Sequence, residues 1–210
     1  MPPFDQARYQ VRLEWGAEGL ARLAPADVVV VVDVLRLSTT VAVAVARGEH
    51  VPLAAAEEVS INGAPIARAA AASGAVVLLG GLRNAEAVAR AVRDEQHRRG
   101  ARTSVTIVAA GERTAKDAAA PVRFAVEDQL GAGAVVDALG VQGIDHTSPE
   151  AAAAAEAFRG LRGAVRHLLT ASGSGQELIE RGLRGDVLTA AELSVLDAVP
   201  VLRDGVFVAI

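Results

Sequence analysis

The chain contains several apolar runs of strand length, and the clearest is a series of five valines at positions 28–32. An uninterrupted run of β-branched residues indicates a strand buried on both faces, as at the centre of a parallel sheet. Asp33 and Arg36 end the run, and small apolar residues then continue to Ala46, before Gly48. This second pattern predicts a helix that stops at Gly48. The residues that can cap its start are Ser38, Thr39 and Thr40.

Two later segments repeat this order of buried strand and helix. The run Ala75–Gly81 precedes a helical pattern over Ala85–Arg99, and Ser104–Ala110 precedes one from about Gln129 to Leu139. Alternating apolar and polar residues over Tyr9–Trp15 predict another strand, with one face in water. Strands that alternate with helices favour a parallel sheet covered by helices.

Local signals add detail to the C-terminal part of the chain. Ser174 and Glu177 have the spacing of a capping box at the start of a helix. Asp204-Gly205 between two apolar runs predicts a β-hairpin, in which Pro200 suits an edge strand. We therefore predict an α/β fold with three layers, α/β/α, whose sheet is mostly parallel with antiparallel pieces at its edges. A single unit over 1–210 is the simplest organisation, and two similar lobes, about 1–100 and 101–210, are the alternative.

Composition narrows the classes of function. Aromatic residues make up 3% of the chain and the net charge is −4, so neither base stacking nor a basic excess indicates nucleic-acid binding. Cysteine is absent, which excludes thiolate metal sites and a cysteine nucleophile. The first residues lack the apolar segment of a signal peptide, and the apolar region 28–46 carries two charges, so we predict no membrane span and a cytoplasmic protein. The oligomeric state is open, with a homo-oligomer as one option.

An arginine follows closely after each of three predicted strands. These residues are Arg36, Arg83 and Arg113. Because the carboxyl ends of parallel strands share one edge of a sheet, where α/β proteins bind ligands, we expect the three to converge. Guanidinium groups pair bidentately with phosphate, sulfonate or carboxylate oxygens, which predicts a small anionic substrate.

Acidic residues occur at the same strand ends, namely Asp33, Glu112, Glu127 and Asp128. Carboxylates hold Mg²⁺ through oxygen, and together with arginines they suit a Mg²⁺-dependent site for a phosphate ester. A simpler interpretation is that Asp33 caps its own loop and that Arg36 is a surface charge. On that interpretation Glu127 and Asp128 merely occupy the first turn of a helix, where acids are favoured.

A series of motifs, in order and at similar spacing over most of the chain, resembles the 2-phosphosulfolactate phosphatase family. They are Asp33-Val-Leu-Arg36-Leu-Ser38-Thr39-Thr40, Leu82-Arg83-Asn84-Ala85-Glu86, Ala109-Ala110-Gly111-Glu112-Arg113, Val126-Glu127-Asp128-Gln129-Leu130-Gly131, and the tail with Ser172-Gly173-Ser174-Gly175 and Gly185-Asp186-Val187. The resemblance implies a three-layer α/β fold and Mg²⁺-dependent hydrolysis of a phosphate monoester on sulfolactate, a step of coenzyme M biosynthesis.

The resemblance also implies site residues. By motif, the site candidates are Asp33, Arg36, Arg83, Asn84, Glu127 and Asp128. Among these we predict catalytic roles for Asp33, Arg36, Glu127 and Asp128, and we predict that Asp33, with Glu127 or Asp128, holds Mg²⁺. The residues that we predict to bind substrate are Arg36, Ser38, Thr39, Asn62, Gly63, Arg83, Asn84 and Arg113. We expect a water molecule to attack phosphorus, and a covalent aspartyl-phosphate on Asp33 is the mechanistic alternative.

One segment is shorter here than in that family. Between the first helix and Asn62-Gly63 the family has a longer segment with a Gly-Glu-Arg loop and an Asn-Ser-Pro loop, whereas this chain has only Leu53–Ser60. Gly111-Glu112-Arg113 belongs to a later strand and does not simply replace the missing loop. A non-catalytic relative that binds phosphate or sulfonate is therefore the alternative to a phosphatase.

Overall fold

The computed structural model describes residues 3–115, 117 and 120–210. The strands are β1 (Val11–Trp15), β2 (Val28–Val32), β3 (Val51–Pro52), β4 (Val76–Gly80), β5 (Val105–Ala109), β6 (Glu112–Arg113), β7 (Val122–Arg123), β8 (Pro200–Arg203) and β9 (Val206–Ala209). The helices are α1 (Gly16–Arg22), α2 (Leu37–Ala46), α3 (Leu53–Val59), α4 (Gly63–Ala72), α5 (Ala85–Arg99), α6 (Val126–Val141), α7 (Pro149–Leu161), α8 (Val165–Ala171), α9 (Gly173–Glu180) and α10 (Arg184–Ala190).

Seven of the described strands form one sheet, in the order β1-β5-β2-β4-β8-β9-β3. The first four of these pair in parallel, and β8, β9 and β3 continue the sheet with antiparallel pairing. The predicted fold class, with its mostly parallel sheet and antiparallel edge pieces, is confirmed. Strands β6 and β7 form a separate antiparallel pair just beyond the end of β5.

Alternate side chains of β2 face two separate cores. Val28, Val30 and Val32 pack with α5, α6 and α7 on one face of the sheet. Val29 and Val31 pack with α2 and α4 on the other face. Because helices cover both faces, all five valines are buried, as an uninterrupted apolar run predicts. Within the part of the chain that the structure describes, every helix is too short or too polar to cross a membrane.

The environments of two strands differ from the prediction. The polar face of strand β1 is only partly in water: the Glu14 side chain is 21% exposed. Arg12 is only 5% exposed, and its guanidinium donates to the carbonyl oxygens of Tyr9 and Ala24. Strand β8 is not an edge strand, since it lies between β4 and β9. Pro200 is tolerated there because it stands at the first position of the strand, where a missing N–H does least harm to the ladder.

Candidate active site

A cavity of about 770 Å³ opens beyond the carboxyl ends of β2 and β5. These two strands are parallel neighbours, so the loops that follow them lie side by side. The cavity lies at the edge of the sheet where α/β proteins bind ligands, and its wall carries both positive and negative side chains. Among the described residues, the wall includes the arginines Arg36, Arg113, Arg123 and Arg181 and the acids Asp33, Glu58, Glu112 and Glu177.

Asp33 borders this cavity, yet it is only 4% exposed and its carboxylate is held firmly. The oxygen Oδ1 accepts the N–H of Leu37 at 3.3 Å. The oxygen Oδ2 accepts the Ser60 hydroxyl at 2.8 Å and the N–H of Gly63 at 3.1 Å. Leu37 and Gly63 are the first residues of α2 and α4, so two helix N-termini are directed at one carboxylate.

Burial raises the pKa of Asp33 above its ordinary value, and the negative charge of Glu112 raises it further. The hydrogen bonds from Ser60, Leu37 and Gly63 have the opposite effect, because they favour the ionised carboxylate. Burial dominates, so the Asp33 carboxyl is protonated more easily than an exposed aspartic acid.

The hydroxyls at the start of α2 stabilise the loop after β2. The Ser38 Oγ accepts the N–H of Asp33 at 2.9 Å and donates to the carbonyl oxygen of Val31 at 3.2 Å. The Thr39 hydroxyl donates to the carbonyl oxygen of Val34 at 2.9 Å. The predicted side-chain cap is therefore wrong: the N-cap position is taken by Arg36, without a side-chain hydrogen bond. Both hydroxyls instead contact the main chain.

Glu112 is a candidate site residue to which the sequence assigned no role of its own. It borders the cavity, and its Oε1 accepts a hydrogen bond from the Asn62 amide at 3.0 Å. Its Oε2 accepts the Ser174 hydroxyl, also at 3.0 Å. Two segments far apart in the chain thus hold the carboxylate. The signals in the sequence were its position directly after a buried strand and its place in the motif Ala109-Ala110-Gly111-Glu112-Arg113.

The same contact overturns the predicted capping box. Helix α9 begins at Gly173, and its N-cap is Ser172, whose Oγ accepts the N–H of Gly175 at 3.0 Å. Ser174 lies inside the first turn, and its hydroxyl is directed to Glu112 instead of the helix backbone. Tertiary contact outweighs local spacing here.

Asn62 and Gly63 lie beside Glu112 and Asp33, respectively. The Asn62 nitrogen donates to Glu112, while its oxygen Oδ1 is buried and has no hydrogen-bond partner among the described residues. Gly63 packs against Asp33 so tightly that a Cβ at this position would lie 2.6 Å from Oδ2. Any larger residue at position 63 would displace the Asp33 carboxylate.

Glu127 and Asp128 occupy the first turn of α6, are almost fully buried, and do not border the cavity. The oxygens of Asp128 accept the N–H groups of Val34 at 2.7 Å and of Gly111 at 2.9 Å. Burial raises the pKa of Asp128 well above its ordinary value, and the charges of Asp33 and Glu127 add to this effect.

The three acids predicted to bind Mg²⁺ do not meet as a metal centre. Across residues 3–115, 117 and 120–210, no group of three or more His, Cys, Asp or Glu side chains is arranged to hold a metal ion. Of Asp33, Glu127 and Asp128, Asp33 alone borders the cavity. A metal ion in this cavity would need a different set of oxygen ligands.

Two of the three strand-exit arginines border the cavity. The Arg36 guanidinium pairs with Asp186 at 3.0 Å, and Arg113 donates to the carbonyl oxygens of Ile61 and Ala120. Arg123, which the sequence did not single out, stands opposite Glu112 in the β6–β7 pair and also borders the cavity. Arg36, Arg113 and Arg123 thus line the same cavity as Asp33 and Glu112.

Arg83 and Asn84, in contrast, lie outside this cavity. The Arg83 guanidinium pairs with Glu192 at 2.7 Å. The Asn84 side chain is buried, where it accepts the N–H of Gly81 and donates to two main-chain carbonyl oxygens. These bonds connect the β4–α5 turn to the C-terminal segment, so Asn84 has a structural role in this arrangement.

The fold and its cavity describe an α/β protein whose parallel strands end at a site lined with arginines and carboxylates. The family model of 2-phosphosulpholactate phosphatase matches residues 58–205, more than two thirds of the chain. The chain therefore belongs to this family, and membership indicates phosphoric monoester hydrolysis as its class of activity. The match includes Asn62, Glu112 and Asp128 and begins after Asp33. No curated protein matched the chain.

Proposed function

We propose that this chain hydrolyses the phosphate monoester of a small anionic acid, of the 2-phosphosulfolactate type, in a Mg²⁺-dependent reaction at the cavity. The observation that carries the proposal is the wall of this cavity, where Asp33 and Glu112 lie together with arginines. Membership of a phosphatase family supports phosphate-ester chemistry. Arginines match the oxygen geometry of phosphate and sulfonate groups.

Two oxygen-bearing side chains of the cavity wall suit Mg²⁺, namely Asp33 and Asn62, and we assign Glu112 to proton transfer. The buried, unpartnered Oδ1 of Asn62 is the observation that favours a cation, because amide carbonyl oxygens are good ligands for hard cations. Mg²⁺ commonly takes one or two carboxylates and completes its shell with water and substrate phosphate, so three protein carboxylates are unnecessary. Bound there, the ion would neutralise negative charge on the phosphoryl group.

The residues of the chain then have separate tasks. Arg36, Arg113 and Arg123 bind the anionic groups of the substrate through charge-assisted hydrogen bonds. Glu112, which Asn62 and Ser174 hold in place, accepts a proton from the water that attacks phosphorus.

Asp33 is better suited to holding a cation than to attacking phosphorus. Both of its oxygens already accept hydrogen bonds, and its side chain is almost fully buried. The water mechanism is therefore preferred over an aspartyl-phosphate intermediate.

The test is phosphate release from 2-phosphosulfolactate and from a panel of other monoesters, with Mg²⁺ and with EDTA. We expect release that requires Mg²⁺ and that falls at least about 100-fold in Glu112→Gln, since a positioned general base contributes on that order. Glu57→Gln is the matched control, because Glu57 pairs with Arg68 and does not border the cavity.

Equal release in EDTA would contradict metal dependence. The absence of release from every ester would instead favour a non-catalytic relative that binds phosphate or sulfonate. One observation favours that alternative: the family match begins at residue 58, after the loop that carries Asp33 and Arg36.

A further inference from the structure

One buried side chain connects the two loops that carry the charged groups of the cavity. Asp128 is only 3% exposed, and its two oxygens accept main-chain N–H groups from different loops. Val34, in the loop after β2, donates at 2.7 Å, and Gly111, in the loop after β5, donates at 2.9 Å. Both are short distances, as expected for hydrogen bonds to a carboxylate.

Each of these bonds lies next to a residue of the candidate site. The Val34 N–H belongs to the peptide plane that begins at Asp33, so its direction constrains the Asp33 main chain. Gly111 directly precedes Glu112 and has a φ of 66°, a conformation that glycine adopts without strain. The Gly111 N–H thus constrains the turn from which Glu112 reaches the cavity.

Close packing keeps Asp128 in this position. Gly131, one turn further along α6, lies so near to Val34 that a Cβ would come within 2.6 Å of its Cγ2 atom. The helix therefore contacts the β2 loop through both its backbone and the Asp128 carboxylate. Displacement of either loop would break a hydrogen bond to Asp128, and displacement of the β2 loop would also disturb this packing.

If the Asp128 side chain only filled space in the core, a carboxyl group would be less stable there than an apolar side chain. Burial raises the pKa of Asp128, and the neighbouring charges of Asp33 and Glu127 raise it further. A carboxylate nevertheless offers two oxygens to two N–H groups, which neither an alkyl side chain nor a single amide oxygen can do. Leaving a buried N–H without an acceptor is costly.

We propose that Asp128 is a positioning residue of the phosphatase site, which holds the Asp33 loop and the Glu112 loop at a set separation. It contacts neither the metal nor the substrate. This role differs from that of the metal ligand predicted from the sequence, and it rests on the proposed function of the cavity.

Asp128→Asn tests the proposal, because the amide keeps the size of the side chain but can accept only one of the two N–H groups. Asp137→Asn is the matched control, since Asp137 lies on the same helix and forms an ion pair with Arg159 at 2.6 Å. Three quantities are measured: amide hydrogen exchange at Val34 and Gly111, Mg²⁺ affinity by calorimetry, and kcat against KM.

We expect Asp128→Asn to speed exchange at Val34 or Gly111 at least tenfold. Mg²⁺ affinity and kcat should each fall at least tenfold, with a much smaller change in KM because the arginines remain. Asp137→Asn should change none of these. Faster exchange with wild-type Mg²⁺ affinity and kcat would show a purely structural role and overturn the proposal, and so would unchanged exchange.

Failure of the proposed function gives a different result. If the wild type neither releases phosphate nor binds Mg²⁺, the positioning role is tested by NMR, through the carboxyl ¹³C chemical shifts of Asp33 and Glu112. We then expect Asp128→Asn to change both chemical shifts and Asp137→Asn to change neither. Unchanged chemical shifts in Asp128→Asn would overturn the proposal. If Asp128→Asn does not fold, amide hydrogen exchange of the wild type tests the proposal instead. Amides of Val34 and Gly111 that are protected as strongly as those of α6 would support it, and amides that exchange as fast as those of an unprotected loop would overturn it.

Discussion

The loops after β2 and β4 have similar sequences but different surroundings. Both follow buried parallel strands, and both place an arginine shortly after the strand, Arg36 in one and Arg83 in the other. The Arg36 side chain is 35% exposed and borders the cavity. The Arg83 side chain is 12% exposed and pairs with Glu192 outside the cavity.

The neighbours in the sheet explain this difference. Strand β2 lies between the parallel strands β5 and β4, so the loop after β5 brings Glu112 beside the β2 loop. On its other side β4 pairs with the antiparallel β8, which adds no strand exit at this edge. The segment before β8 covers the β4 loop instead, with Ser194 and Leu196 donating to the carbonyl oxygens of Leu82 and Arg83. Strand β2 therefore has a parallel strand on both sides and its loop borders the cavity, whereas β4 has a parallel neighbour on one side only and its loop is covered.

The largest expected effect comes from Asp33→Asn, which tests whether the β2 loop is functional. The amide removes the charge that a hard cation prefers, so phosphate release should fall at least about 100-fold and Mg²⁺ affinity should fall with it. The melting temperature without metal should change by a smaller amount, because relief of the burial penalty and of repulsion from Glu112 is offset by the loss of one of the two main-chain hydrogen bonds. Unchanged phosphate release and unchanged Mg²⁺ affinity would mean that Asp33 only caps its loop.

The raised pKa of Asp33 predicts how the stability of the protein depends on pH. Because the pKa of Asp33 is raised in the folded state, the folded chain binds this proton more tightly than the unfolded chain. Between the ordinary and the raised pKa, the stability contributed by this group therefore falls as the pH rises. The unfolding free energy of Asp33→Asn minus that of the wild type should increase from about pH 4 towards neutral pH. A difference that stays flat in chemical denaturation over this range would contradict the raised pKa.

The next effect compares the two arginines directly, through Arg36→Lys and Arg83→Lys. Lysine keeps the charge but loses the planar fork, so Arg36→Lys should weaken binding of phosphate or sulfonate ligands by about 1.5–3 kcal/mol. That is about 10- to 150-fold in Kd by calorimetry. Arg83→Lys should leave Kd unchanged and lower the melting temperature slightly. Equal losses of affinity in both variants would contradict the conclusion that the β2 loop, and not the β4 loop, borders the ligand site.

A smaller effect is expected when the amide of the β4 loop is removed. Asn84→Ala leaves the buried N–H of Gly81 without its acceptor, which should cost about 1–3 kcal/mol of stability. For a chain of this length the melting temperature should fall by about 2–4 °C per kcal/mol, with activity per folded molecule retained. Asn62→Ala should show the reverse, a loss of activity with little change in melting temperature. Loss of activity in folded Asn84→Ala would place the β4 loop in the site.

The smallest effect concerns the partner of Arg36. Its ion pair with Asp186 is partly exposed, and such pairs contribute about 1 kcal/mol or less. Asp186→Asn should free the guanidinium for a ligand and increase phosphate affinity by about fivefold or less. Glu192→Gln, which frees Arg83 in the same way, should leave the affinity unchanged. Weaker phosphate binding in Asp186→Asn would mean that Asp186 orients Arg36 for its ligand.

Features set by neighbours in the sequence could be predicted from the sequence alone. The five valines of β2 and the helix α5 at Ala85–Arg99 occur where the hydrophobic periodicity placed them. Gly48 follows the end of α2 with a φ of 81°, as its predicted role at the helix terminus requires. The motifs also identified the family that the family model confirms. Each of these depends on local backbone preference or on the order of short segments.

The composition of the site depended on contacts that only the tertiary structure creates. Glu112 is held by Asn62, 50 residues earlier, and by Ser174, 62 residues later. Asp128 accepts the N–H of Val34, 94 residues away, and Ser174 bonds to Glu112 although its spacing predicts a helix cap. Periodicity shows which face of a strand is buried but not which strand lies beside it. Since β5 pairs with β2, and β8 with β4, strand order decided which charged residues share the cavity.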